Sequence, residues 1–236
     1  MATWLERAAG QGGLPLALVY LELILALTLL TTVLHFRARR KTRDELAAVR
    51  SYFLAFFVLL LAVPCFLVFL SSSGPWAALA SFGGTFGRAG RGFALAAIGL
   101  PAAILAGSIG SRDPEMKKMY PFAKAACADA RTFAGYELTY LFLYYLPWEF
   151  VFRGVLFFPL VPLVGLIPAL AIQTALSTLL HIGHPDTEIF AAAGAGLVFG
   201  LIAWATGSFL YPLILHAATG IATDTFLFLG RRRGNP

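Results

Sequence analysis

Long apolar runs separated by short polar punctuation dominate this chain. Runs at roughly 14–36, 51–72, 93–110, 136–158, 163–181, 187–206 and 209–229 each meet or approach the ~20 residues that cross a ~30 Å hydrocarbon core. The segments between them carry helix-ending residues: Ser71-Ser72-Ser73-Gly74-Pro75, the glycine-rich stretch Gly83 to Gly92, Asp113-Pro114, Pro159 to Pro162, and Gly183 to Pro185. The pattern predicts an all-α fold, a polytopic transmembrane helical bundle of about seven spans. The apolar stretch from Trp76 to Phe86 is too short to cross and fits a re-entrant or interfacial piece, so an eight-span reading stays open. No repeat is visible, and residues 1–236 read as a single integral membrane domain.

Composition closes off other classes. Of 236 residues 59% are hydrophobic and 13% charged, against roughly 25% charged in soluble domains, which excludes both a soluble enzyme and a disordered chain. Cys65 and Cys127 have no spacing that suggests a disulfide framework or a structural zinc site. The net charge of +6 is not a nucleic-acid signature, because the basic residues cluster between apolar runs. Six lie between the first two spans (Arg37, Arg39, Arg40, Lys41, Arg43, Arg50), five between the third and fourth (Arg112, Lys117, Lys118, Lys124, Arg131) and three in the tail (Arg231 to Arg233). Only Arg7, Arg88 and Arg91 fall on the opposite side. The positive-inside rule then predicts an outer N-terminus and a cytoplasmic C-terminus, in an inner or plasma membrane. Pro114 to Phe133 mixes basic and apolar residues and reads as a cytoplasmic interfacial helix. Trp4, Glu6 and Gly10 to Gly13 precede the first run and no small-residue cleavage site follows it, so that run is expected to remain in the mature chain.

A charge inside a span is costly unless paired or facing a wet cavity, which singles out Glu22, Glu149, Arg153, His181, His216 and Asp224. All but Glu22 belong to the C-terminal half, so 1–133 reads as scaffold spans plus the interfacial helix, and 134–229 as the core for any chemistry. Glu149 and Arg153 stand at i and i+4 and can pair on one helix face, a purely structural ion pair being the simpler alternative. Pro147, two residues before Glu149, is expected to free a carbonyl and kink the span. At 1.5 Å per residue Glu149 and His216 both lie ~20 Å from the cytoplasmic face and can meet. His181 falls only a few ångströms from that face, which requires a tilted or longer fourth helix, a displaced fifth one, or a His181 outside the constellation. Ala192, Gly196 and Gly200 at four-residue spacing read as a packing stripe. Glu188, in the first turn of the sixth span, is accounted for by the helix dipole, with Asp186 or Thr187 as the cap.

The C-terminal half, about Tyr140 to Thr225, resembles the CPBP (Abi) family of intramembrane proteases, which includes CAAX endopeptidases. Its first motif, Glu-Glu-x-x-x-Arg, is matched by Glu149 and Arg153 with Gly154 following; its second ends in a histidine, matched by His181; its third begins with one, matched by His216. Three positions depart from the pattern. Trp148 replaces the first glutamate, Ser177 replaces a usual Phe, and Gly220 replaces the Asn or Asp four residues after His216.

The resemblance implies a glutamic-type intramembrane endopeptidase that cuts a membrane-associated protein or peptide near the bilayer boundary. In the family, the first glutamate and the second-motif histidine are thought to activate water, and the third-motif histidine and its Asn to hold the oxyanion. Here Glu149 is the candidate base, His181 the residue that orients the water, and His216 the oxyanion partner, with Arg153, Asp224, Trp148 and Gly220 around them. No cofactor is expected. A zinc site built from Glu149, His181 and His216 is the minority alternative, since no HExxH pattern is present. Two other function classes stay open: a non-catalytic relative that binds or chaperones membrane peptides, and, disfavoured by the lack of an inverted repeat, a transporter.

Overall fold

The computed structural model describes residues 23, 26, 27, 29–34, 44–66 and 74–234. Most of the first predicted span, Glu22 included, lies outside the described residues, as do Ser71 to Ser73. The described residues form α1 (Glu45–Phe66), α2 (Pro75–Ser81), α3 (Ala89–Gly110), α4 (Pro114–Met119), α5 (Ala130–Val164), α6 (Leu166–Leu179), α7 (Asp186–Thr206) and α8 (Leu210–Arg233). Five of these, α1, α3, α5, α7 and α8, are long and apolar enough to cross a membrane. The chain is an integral, multi-pass membrane protein with an all-α bundle.

α5 is the central helix: 72% of its most apolar window is buried, against 17–39% for the other four. Its periodicity explains why. Tyr140, Tyr144 and Trp148 recur every four residues and face α1, where Phe53 stacks on Tyr140 (centroids 4.8 Å apart) and Phe56 on both Tyr144 (4.5 Å) and Trp148 (5.9 Å). Tyr145 and Glu149 form a neighbouring stripe that faces α8.

The predicted boundary between the fourth and fifth spans shifts. α5 runs 35 residues, straight through Pro159 and Pro162, because the wide π turn at Phe150–Leu156 loosens the hydrogen-bond ladder in which those rings would clash. It stops at Gly165, whose φ of 87° is open to glycine without strain. α6 is left with 14 residues, roughly 21 Å, too short to cross on its own. The interfacial helix expected over Pro114 to Phe133 is also corrected. α4 ends at Met119 ahead of Pro121, a 3-10 turn covers Lys124–Ala128, and Asp129 caps the start of α5 by accepting from the Arg131 and Thr132 amides. The apolar residues of this segment go into the protein: Tyr120, Phe122, Ala123 and Ala126 are buried in the main core.

α3 lies tightly along α8. A Cβ on Gly107 would stand 2.6 Å from the Thr219 carbonyl oxygen and 2.9 Å from the Thr223 nitrogen, backbone that cannot swing aside. Gly107→Ala is therefore expected to force the two helices apart and destabilise the protein by about 1–3 kcal/mol, read as a lower melting temperature in detergent; an unchanged melting temperature would show that the pair has slack. The small-residue stripe on α7 packs on α6, where Gln173 Nε2 donates to the Gly196 carbonyl at 2.8 Å. At the other end of α7, Arg88 and Arg91 both donate to the Ala205 carbonyl, at 2.9 and 3.2 Å, at the negative end of the helix dipole. These contacts give a local reason for two of the few basic residues outside the three clusters. The start of α5 and the end of α8 share the opposite end of the bundle, where Phe133 stacks on Phe228.

Candidate active site

Pro147 sets the local geometry of α5. It has no amide hydrogen, and in a regular helix its ring would press on the Leu143 carbonyl. The chain widens into a π turn at Leu141–Tyr145, where the Leu146 amide reaches back to the Leu141 carbonyl, and widens again over Phe150–Leu156. The single regular turn between them, Leu146–Glu149, carries Trp148 and Glu149.

Glu149 is completely buried, with Arg153 Nη1 donating to its Oε1 at 3.2 Å. The same oxygen lies 2.6 Å from His216 Nδ1 on α8. An ionised carboxylate only accepts hydrogen bonds, so the proton of that contact sits on Nδ1 and the ring is oriented by it. Glu149 Oε2 and Arg153 Nε are buried with no hydrogen-bond partner among the described residues. The His216 side chain keeps 21% of its surface and, with His181, lines a cavity of ≈ 370 Å³. The rings of Tyr145 (4.9 Å), Phe199 (5.8 Å) and Trp148 (6.3 Å) surround it.

His181 reaches the same cavity from the turn after α6. Gly165 stands sixteen residues after Glu149 and sixteen before His181, so the reversal there returns His181 to about the height of Glu149 and removes the depth mismatch. The imidazole lies edge-on to Trp148 at 5.2 Å. Its Nδ1 donates to the Ser177 carbonyl at 2.7 Å, which leaves Nε2 as the acceptor nitrogen. The turn through Gly183 and Pro185 then brings Glu188 back over it, with Oε1 3.9 Å from His181 Nε2. That oxygen also lies 3.0 Å from His184 Nδ1 and accepts from the Tyr120 hydroxyl at 2.7 Å. Burial, and after it the Glu188 charge, push the Tyr120 phenol well above its usual range, so it remains a donor.

Residues 132–222 match the family model described as Rce1-like, type II CAAX prenyl endopeptidase Rce1-like. The match covers 91 of the 236 residues, and over that segment the chain is similar to the Rce1-like CAAX proteases. No curated protein and no solved structure matches the chain. The Rce1-like segment contains α5 from its first turn, all of α6 and α7, and α8 as far as Ala222, so it holds Glu149, Arg153, His181, Glu188 and His216 together.

Asp224 lies just beyond the Rce1-like segment and does not join the site. It is buried beside Glu137 and Tyr136, away from the cavity, because eight residues carry α8 more than two turns past His216. Gly220 does line the cavity, and its missing side chain has a specific occupant: a Cβ there would stand 1.6 Å from the Tyr145 hydroxyl. Trp148, in place of the first motif glutamate, fills the space between Phe56 and His181. As for zinc, no set of three His, Cys, Asp or Glu side chains among the described residues is arranged to hold a metal ion.

Sequence reasoning passed over Tyr145, Tyr120 and His184, and gave Glu188 only a dipole role. Thr187, one of the two proposed caps, instead donates to Asp113 at 2.7 Å, and Pro185 occupies the cap position of α7. Two signals were present. Tyr145 stands four residues before Glu149 on the same face, and His181, His184 and Glu188 bracket a Gly-x-Pro reversal that folds them together.

Proposed function

We propose that the protein is an intramembrane endopeptidase that cuts within the C-terminal Cys-a-a-X segment of a prenylated protein or peptide, the substrate class in the name of the matching family. The observation that carries this reading is the convergence of both motif histidines, each held by a defined Nδ1 contact, on one partly enclosed and largely apolar cavity. Peptide hydrolysis needs a proton acceptor for water and donors for the developing oxyanion in a place that limits bulk solvent. In this reading His181 Nε2 faces the attacking water. His216 Nε2, in the imidazolium form whose charge Glu149 offsets, donates to the oxyanion, and the Tyr145 hydroxyl is the second donor in the space left by Gly220. Glu149 acts through His216 as a positioning residue. Arg153 holds its carboxylate in place.

The test uses purified protein in lipid nanodiscs with an internally quenched farnesylated Cys-a-a-X peptide, its unprenylated twin and a membrane-anchored protein ending in the same motif. The wild type is expected to release the C-terminal fragment, and His216→Ala to release none while remaining folded and inserted. If the wild type cleaves none of the three, the protease reading falls.

A further inference from the structure

The mechanism above leaves one function unfilled. The resemblance implies a water-activating carboxylate at the position that Trp148 occupies, and an indole cannot serve as one. An imidazole alone can accept one proton but has no anion to hold the water against it or to balance the charge that it acquires. Among the described residues one carboxylate lies within 4.0 Å of the His181 ring nitrogens, that of Glu188 at the start of α7.

We propose that Glu188 is the water-activating carboxylate of this site, acting with His181. The proposal rests on the protease reading. Four observations support it. Glu188 Oε1 is 3.9 Å from His181 Nε2, too far for a direct hydrogen bond and a separation that one water in contact with both would bridge. Glu188 lines the same cavity as His181 and His216. Its Oε1 is fixed by Tyr120 and His184, and its Oε2 is buried with no hydrogen-bond partner among the described residues. The Tyr120 hydroxyl also lies 3.0 Å from His184 Nδ1, so Tyr120 and the His184–Glu188 stretch hold one another around that carboxylate. A helix-dipole role alone would need none of this, since a carboxylate in a first turn gains the same benefit while facing solvent.

The chemistry balances without a cofactor. Water held between Glu188 and His181 gives a proton to this pair as its oxygen adds to the scissile carbonyl carbon. The carbonyl π electrons move to oxygen and are held by His216 and Tyr145. Collapse of the tetrahedral intermediate re-forms the carbonyl and breaks the C–N bond, and the stored proton passes to the departing nitrogen. The products are a carboxylic acid and an amine, and Glu188 and His181 return to their starting states.

The experiment measures kcat and KM on the farnesylated peptide in nanodiscs for wild type, Glu188→Gln, Trp148→Glu and the Trp148→Glu/Glu188→Gln double variant. Glu188→Gln is expected to lower kcat about 10²-fold or more with KM little changed, as for loss of a general base. The double variant is expected to regain cleavage over Glu188→Gln, because a glutamate at position 148 returns a carboxylate to the edge of His181. A structural role for Glu188 would not be rescued from position 148. Glu188→Gln with wild-type kcat overturns the proposal, as does a silent wild type beside an active Trp148→Glu, which would leave the protease fold standing without its carboxylate. Silence from both takes the protease reading away and the proposal with it. Should Glu188→Gln fail to fold, Glu188→Asp retains the charge one methylene further back. A clear fall in its kcat then supports the proposal and an unchanged kcat overturns it.

Discussion

Glu149→Gln is expected to abolish cleavage and to destabilise the protein strongly, whereas His216→Ala abolishes cleavage at a smaller cost in stability. The difference follows from what each side chain holds. The Glu149 carboxylate is buried between the Arg153 guanidinium at 3.2 Å and His216 Nδ1 at 2.6 Å. Neutralising it leaves Arg153, itself 2% exposed, as an uncompensated buried cation, and breaking a buried pair from one side costs about 3–5 kcal/mol. It also releases the charge that orients and balances His216. Loss of an orienting carboxylate behind a catalytic histidine lowers kcat about 10⁴-fold in serine proteases, and a fall of that order is expected here. The two effects separate in a double variant. Glu149→Leu with Arg153→Met removes both charges, so the melting temperature should recover while cleavage stays absent. A Glu149→Gln protein that melts early yet cleaves at the wild-type rate would reduce the pair to scaffolding.

These residues also show how far the sequence could be read. Glu149, Arg153, His181 and His216 were found because ionisable groups in an apolar run are rare, and their order matched a known motif set. The depth estimate brought Glu149 and His216 together, and they meet at 2.6 Å. It failed for His181, because it ended the fourth span at 158 and so made the return to His181 look twice as long as the climb from Glu149. That error came from reading Pro159 and Pro162 as a break, when the chain absorbs them after a π turn and reverses at Gly165. Glu188 was misread for a different reason. A helix N-terminus offered a sufficient local explanation, and only the reversal at Gly183 to Pro185 reveals that the residue points back at His181. Asp224 was misplaced in angle and in distance: eight residues turn α8 about 80° past the face of His216 and carry the side chain to Glu137 and Tyr136, out of its reach.

Gly220 provides the second large effect, and its direction is the reverse of what the motif suggests. Installing the family residue, Gly220→Asn, is expected to inactivate the protein, because the new Cβ would stand 1.6 Å from the Tyr145 hydroxyl and 2.6 Å from its Cζ. Tyr145 cannot rotate away cheaply, since it is 3% exposed and its ring is held by Tyr140 at 4.4 Å and His216 at 4.9 Å. Overpacking of this kind costs about 1–3 kcal/mol, and displacing Tyr145 also disturbs the histidine beside it. Tyr145→Phe asks the chemical question without the steric one: it keeps the ring and removes the hydroxyl. Loss of an oxyanion donor lowers kcat about 10²–10³-fold, and that fall is expected with KM nearly unchanged. The pair Tyr145→Ala with Gly220→Asn then tests the exchange directly. The smaller residue vacates the space, the Asn amide enters it, and both melting temperature and cleavage should rise above those of Gly220→Asn alone. If Tyr145→Phe instead turns over at the wild-type rate, the hydroxyl only fills the hole beside Gly220, and His216 bears the oxyanion without it.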